Sequence, residues 1–387
     1  MCVGGPLFFS GSRSLSHFGS GTNLWLSRTL EAFEEDKMGE IKIDLYSDTS
    51  TKPTEGMRAF MAAAEVGDEQ KGEDPTVNQL QEMVAGMLGK EQALFLPSGT
   101  MCNQIAYAVH CGPGDLILMD RTAHPLISES GGAAVLANAT MYPIDGARGQ
   151  FTADQVADVV EEPTRYKPAF KLLSIEQTSN KPGGLIWPLE QIQEVEAVAR
   201  ERGMLMHMDG ARLLNAVVET GIPAKDYADS FDTIWIDLSK GLGAPIGAVL
   251  AGSFEFILAA WQWKQRIGGA MRQAGIAAAG GIYALEHHVE RMAEDHANAK
   301  RLANGIVGAP GIEIDTNSVE TNMVRFDITA LGVRSGDFVS QLIDASGVRV
   351  SAPGPTLIRA IPHLGISETY VDQAAGAIRS LAEKLAN

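Results

Sequence analysis

The chain has 387 residues, enough for two domains and a large core, and its 45% hydrophobic and 20% charged content is that of a globular protein. A net charge of -17 argues against nucleic acid or an anionic membrane as the main partner, while leaving room for a local phosphate pocket. Three cysteines, Cys2, Cys102 and Cys111, form neither a disulfide framework nor a metal-ligand spacing, and no apolar run reaches the roughly 18 residues of a membrane span. A reducing, cytoplasmic setting is expected, with no metal and no membrane.

Residues 1–38 are rich in Ser and Gly and carry no acidic residue before Glu31. They read as a poorly ordered extension, either a leader for an organelle or a segment upstream of an alternative start at Met38. Folding signals begin with a brief strand over Ile41 to Tyr46 and a polar loop, Ser47 to Thr54, whose Thr54 caps a helix to about Ala64. Thr76 to Leu88 reads as an amphipathic helix. Strands and helices then alternate. Strands are expected at Ala93–Leu96, Asp115–Met119, Thr140–Pro143, Lys171–Ile175, Met204–Met208 and Ile234–Ile236. Helices are expected from Ser98 to His110, from Ser128, over Ala153–Glu161, Leu189–Arg202 and Ser253–Arg266, and as one long element from Ala274 to about Leu302. After Gly308 short strands, Asn322–Phe326 and Val348–Ser351, alternate with helices at Ser335–Ala345 and Ser367–Ala386. This predicts an α/β fold with a mainly parallel sheet: the extension 1–38, a large domain over 39–290 and a smaller α+β domain over 291–387.

Ligand sites in such sheets lie at the carboxyl ends of strands. Four polar groups fall there. Ser98-Gly99-Thr100 opens a helix, where free N–H groups, two hydroxyls and the helix dipole suit a phosphate, although the same triplet is an ordinary cap. His124 follows a strand, where an imidazole can stack on an aromatic ring or move a proton. Asp209 ends an apolar strand in His207-Met208-Asp209-Gly210-Ala211-Arg212, so its carboxylate needs a cation. That cation is either a ligand's pyridinium or Arg212. Lys240 follows Ile234-Trp235-Ile236 in Ser239-Lys240-Gly241; alone it reads as a surface lysine, whereas in an apolar setting its amine would be a nucleophile. Together they offer a phosphate cup, a stacking ring, a carboxylate for a ring nitrogen and an amine for an aldehyde, which is the equipment of a pyridoxal 5'-phosphate (PLP) site. Arg212 and Arg359 could bind an amino-acid carboxylate. The stretch Glu286-His287-His288-Val289-Glu290 suggests metal ligands, but a solvated helix face explains it more simply.

These segments resemble the L-threonine aldolases of the β-eliminating lyase group. The resemblance is carried by Asp44-Leu45-Tyr46-Ser47-Asp48-Thr49, Gly72-Glu73-Asp74-Pro75-Thr76-Val77-Asn78, Pro97-Ser98-Gly99-Thr100-Met101, His207 to Arg212, Leu238 to Pro245, and Gly268-Gly269-Ala270-Met271-Arg272-Gln273. It implies a fold-type-I PLP enzyme with a seven-stranded large-domain sheet, cleaving β-hydroxy-α-amino acids to glycine and an aldehyde. It implies that Lys240 forms the Schiff base with PLP, Asp209 pairs with the ring nitrogen, His124 stacks on the ring, and Ser98, Gly99 and Thr100 hold the phosphate. Ser47, Ser179, Arg212 and Arg359 would face the substrate. Arg272 would reach a phosphate across a subunit interface, making a homodimer the minimal unit and a tetramer the expected one. Two positions depart from the family: Ser179 stands where a histidine is usual, in Glu176-Gln177-Thr178-Ser179-Asn180, and Lys71 where a tyrosine is usual. Both bear on the substrate side chain, and the loss of the histidine leaves His124 as the expected base. The other readings are a different PLP reaction, such as β-elimination, transamination or racemisation, and a PLP-binding protein without turnover.

Overall fold

The structure is a computed structural model that describes residues 39–387; the expected extension over 1–38 lies outside the described residues. Its centre is a seven-stranded sheet. The strands are β2 (Gln92–Leu96), β3 (Leu116–Asp120), β4 (Thr140–Ile144), β5 (Phe170–Glu176), β6 (Leu205–Gly210), β7 (Thr233–Asp237) and β8 (Ala248–Gly252), following β1 (Ile43–Asp44) in the chain. The spatial order is β2-β8-β7-β6-β5-β3-β4. β8 runs antiparallel to both its neighbours, β2 and β7, and the other contacts in the sheet are parallel. Six strands therefore point the same way and deliver their carboxyl ends to one edge.

Periodicity does not reveal β8. Ala248-Val249-Leu250-Ala251-Gly252 is buried at every position, so it lacks the alternation of a one-sided strand, and it follows directly on a Gly/Pro loop. The single helix expected over Ala274–Leu302 is two helices, Gly275–His287 and Met292–Ile306. The first packs on the Glu55–Ala62 and Pro75–Leu88 helices and the second on the C-terminal Glu368–Ala386 helix, so the chain must turn between them. The turn is fixed at His288, whose buried Nδ1 lies 2.6 Å from the carbonyl oxygen of Leu242. That contact occupies the ring in the stretch that had suggested metal ligands.

Four buried hydrophobic clusters lie among the described residues, and the two largest frame the fold. One covers one face of the large sheet and includes Leu80, Phe95, Leu173, Trp187, Met206 and Ile234, while two smaller clusters, around Leu94, Trp235 and Leu250 and around Ile117, Met119 and Leu172, pack the opposite face. The other joins the C-terminal helices to β9 (Val324–Asp327), β10 (Val348–Arg349) and β11 (Leu357–Ala360), through Leu302, Phe326, Phe338, Ile358 and Ile378. Ile43 and Leu45 also belong to this second core, because β1 pairs in parallel with β10. Each fully buried Leu, Ile or Phe contributes about 1.5–3 kcal/mol. The threading of β1 into the second core carries Ser47 and Asp48 to the open edge of the large sheet. Among the described residues no helix is long and apolar enough to cross a membrane.

Candidate active site

At the carboxyl edge of the sheet lies a cavity of about 530 Å³. Its lining includes Ser47, Ser98, Gly99, Thr100, His124, Asp209, Arg212, Lys240 and Arg359, residues spread over more than 300 positions of the chain. A larger cavity of about 890 Å³ elsewhere is walled by Ile186, Leu189, Ile222, Tyr227 and Val319 and contains none of these groups. The smaller cavity is the more polar of the two, and it gathers the expected site residues.

The expected phosphate cup is a helix start. Ser98 is the N-cap of the Gly99–His110 helix, and its Oγ accepts from Met101 N at 3.2 Å, so the ordinary capping role is real. The N–H groups of Gly99 and Thr100, at the first two helical positions, have no intrahelical partner and face an anion site with the dipole behind them. Gly99 is required by the indole beneath it: a Cβ there would stand 2.2 Å from a ring carbon of Trp235.

Asp209 is the penultimate residue of β6, is 1% exposed, and makes no ion pair among the described residues. Arg212, the candidate partner in the sequence, is instead clamped by Asp48, with Nε to Oδ2 and Nη2 to Oδ1 both at 2.7 Å. Asp209 receives hydrogen bonds from Asn103 Nδ2 at 2.9 Å and from the Ala211 amide at 3.1 Å. Burial raises its pKa, against the opposing effects of Lys240 and Asn103. Glu176 sits opposite it in the parallel register of β5 and β6. Burial, then the Asp209 charge, push the Glu176 carboxyl up to about 8. Two adjacent buried carboxyls cannot both ionise; Asp209 has two donors to its charged form, and Glu176, with no side-chain hydrogen bond among the described residues, keeps the proton.

His124 opens a short helix, His124–Ser128, where the sequence suggested a loop. Its Nδ1 lies 3.0 Å from Glu129 Oε1. That hydrogen bond raises the imidazole pKa, while burial opposes it. Because Glu129 takes the Nδ1 proton, Nε2 is the atom left to accept one. Lys240 Nζ lies 3.1 Å from Asp237 Oδ2 and 5.6 Å from the centroid of Trp235. The apolar setting expected for this amine is thus modified by a carboxylate, whose Oδ1 is itself held by the amide and hydroxyl of Ser239.

Arg359 lies on β11 and contacts Ser351 Oγ and Asn180 Oδ1, each at 3.2 Å. Unlike Arg212 it has no carboxylate clamp among the described residues, which leaves charge for an anionic ligand. Ser47 Oγ accepts from the Thr49 amide and hydroxyl at the cavity wall. Two of the expected site residues lie outside this wall: Ser179, and Arg272, which was expected to reach the phosphate of a partner subunit. Ser179 is buried in a bridge with Leu185, and its Oγ donates to Gly149 O at 3.3 Å; its neighbour Asn180 lines the cavity instead. Arg272 is exposed and pairs with Asp68 at 3.1 Å. The loop carrying Lys71 is pinned beside it by a buried pair between Lys264 and Glu69. Asp48, Asn103, Glu129, Glu176 and Asp237 were not singled out from sequence, although Glu176 ends an apolar strand just as Asp209 does.

The residues present fit PLP: a helix N-terminus for an anion, a buried carboxylate with no ion-pair partner among the described residues, an imidazole and a primary amine share one cavity of about 530 Å³. The sequence model of the beta-eliminating lyase family matches residues 44–329. The low-specificity L-threonine aldolase of Escherichia coli K12 is 39% identical over 341 residues, covering 87% of this chain and 98% of that protein. The solved threonine aldolase of Leishmania major superposes with a TM-score of 0.75 at 16% identity, over 88% of this chain and 100% of the other. A high-resolution structure of SPT with its PLP internal aldimine superposes with a TM-score of 0.69 at 14% identity, over 95% and 98%. At these identities the structural likenesses speak for fold, that of the fold-type-I PLP enzymes.

Proposed function

This chain belongs to the beta-eliminating lyase family, and from that premise we propose that it is a PLP-dependent aldolase. It cleaves β-hydroxy-α-amino acids of the L-threonine and L-allo-threonine type to glycine and an aldehyde. The observation that carries this reading is the convergence of Lys240, Asp209, His124 and the Gly99–Thr100 amides on one cavity, in a chain aligned to nearly the full length of an L-threonine aldolase. PLP, when bound, supplies the electron sink for the pair released as the Cα–Cβ bond breaks.

The chain's own residues divide the remaining work. Lys240 provides the amine that tethers the cofactor, and Asp237 holds that amine when it is free. Asp209 keeps a proton on the ring nitrogen. The Gly99 and Thr100 amides and the hydroxyls of Ser98 and Thr100 bind phosphate. Arg359, with Arg212 fixed beside it by Asp48, binds the substrate carboxylate, and Ser47 and Asn180 border that subsite. His124 Nε2 takes the β-hydroxyl proton, a role supported by the Glu129 contact that fixes its tautomer. The active unit is a homodimer or a tetramer, supported by Arg272 and Lys71 standing on the surface outside their own chain's cavity. Buried thiols at Cys102 and Cys111 suit a reducing compartment such as the cytoplasm.

The test is a panel of L-threonine, L-allo-threonine and L-phenylserine on purified protein, with aldehyde and keto acid scored separately. Aldehyde release supports the aldolase; keto acid as the main product, or bound PLP with no turnover on any of them, overturns it. His124→Phe tests the base: cleavage retained with only weaker cofactor binding would remove His124 from that role.

A further inference from the structure

One side chain outside the cavity wall bonds to three residues that line it, Asp209, Glu129 and Trp235. Asn103 lies one turn into the Gly99–His110 helix and is fully buried. Its Nδ2 donates to Asp209 Oδ2 at 2.9 Å and to Glu129 Oε1 at 2.8 Å. Its Oδ1 accepts from Trp235 Nε1 at 2.7 Å and lies 3.1 Å from His207 Nε2.

The orientation of this amide is determined by its neighbours. An indole nitrogen only donates, so the atom facing Trp235 must be the carbonyl oxygen. The opposite orientation would also place that oxygen between two carboxylates. With Oδ1 as acceptor, His207 must donate from Nε2 and accept at Nδ1 from Thr233 Oγ1, 2.9 Å away. Thr233 Oγ1 in turn lies 2.9 Å from His110 Nε2, which completes the chain by donating. Burial, then the neighbouring His110, hold His207 down at about 3, so this direction persists at working pH.

From this geometry we infer that Asn103 is a positioning residue joining the carboxylate that faces the ring nitrogen to the carboxylate that orients the histidine base. One planar amide spends both hydrogens on Asp209 and Glu129, and Glu129 Oε1 also meets His124 Nδ1. Gln104 Nε2 holds the other Glu129 oxygen at 3.0 Å. The two carboxylates come from different parts of the fold, each is also held at its other oxygen, by the Ala211 amide or by Gln104, and Asn103 is the side chain that bonds to both. Asn103 fixes their spacing by donating to both, and its hydrogen bond favours the charged form of Asp209. The inference rests on the PLP reading above and concerns binding and proton affinity as well as turnover.

The experiment compares Asn103→Ala and Asn103→Asp with wild type. Aspartate keeps the size of the side chain and an acceptor for Trp235, but replaces the double donor with a third carboxyl. Cofactor affinity is read by absorbance titration of each variant with PLP, and the acid limb of kcat/KM against pH is read separately. Circular dichroism confirms that each variant is folded. For Asn103→Ala the expected result is PLP affinity weakened about tenfold or more, the value of a lost hydrogen bond to a charged group. Its acid limb moves to higher pH, because Glu129 without this donor holds the His124 proton more strongly. Asn103→Asp binds PLP no better than Asn103→Ala. A merely structural side chain predicts the reverse order, with the isosteric aspartate close to wild type, and that result overturns the inference. So does Asn103→Ala with unchanged PLP affinity and an unchanged acid limb. If wild type itself binds no PLP, the functional reading has failed instead.

Discussion

The Asp48–Arg212 pair makes a sharp prediction. Asp48 is 0% and Arg212 5% exposed, and their fork is closed by two contacts of 2.7 Å, with Asn322 Nδ2 a third neighbour of Asp48 at 3.3 Å. Asp48→Asn keeps the shape but turns an NH2 group towards a buried guanidinium. Removing one partner of a buried pair leaves the other charge uncompensated and costs about 3–5 kcal/mol. At 1.4 kcal/mol per decade this is a loss of roughly two to three and a half powers of ten in the folded-to-unfolded ratio. The sign with pH also follows. Burial raises the Asp48 pKa, but the Arg212 charge and hydrogen bonds outweigh it and hold the carboxyl well below its usual range. A depressed carboxyl contributes stability that is complete above its unfolded pKa of about 4 and is lost as pH falls through the folded value. The cost of Asp48→Asn is therefore the same at pH 7 and pH 6. The assay is guanidinium unfolding followed by tryptophan fluorescence at fixed protein and PLP concentration. Removing the charge on both sides, in Asp48→Asn with Arg212→Gln, should cost less than the sum of the single changes. A single-variant loss under about 1 kcal/mol, or strict additivity, would refute the argument.

Two further predictions concern protons. Glu129→Gln removes the contact that raises the His124 pKa, so the base becomes neutral at lower pH. The acid limb of kcat/KM should then move down, and an unmoved or raised limb would exclude Glu129 as its cause. Glu176 carries its proton below about 8, so Glu176→Gln should leave activity at pH 7 within a few-fold of wild type. Above pH 8 the variant should lack whatever loss wild type shows as a second charge forms beside Asp209, and a collapse of activity at pH 7 would contradict this.

Residues legible in the sequence share one property. Ser98, His124, Asp209 and Lys240 each follow an apolar segment closely, so local pattern alone placed them at strand ends and hence on one edge. Arg212 was legible as a cation near the site, but its partner was not, since Asp48 lies 164 positions away and meets it only after β1 threads into the second core. Glu176 depends on the register of β5 against β6, and Asn103 on which face of its helix the sheet covers; neither is written in periodicity. Ser179 failed to reach the cavity because its bridge with Leu185 turns it towards Gly149. β8 was missed because burial on both faces erases alternation.

The central claim is that the substrate loses its Cβ group as an aldehyde while Cα leaves as glycine. Incubating the PLP-loaded protein with L-allo-threonine and quantifying both products tests it most directly, with Lys240→Ala as the control. The account predicts acetaldehyde and glycine in a one-to-one ratio, abolished in Lys240→Ala. A 2-oxo acid and ammonia in their place, or glycine formed equally by Lys240→Ala, would contradict it.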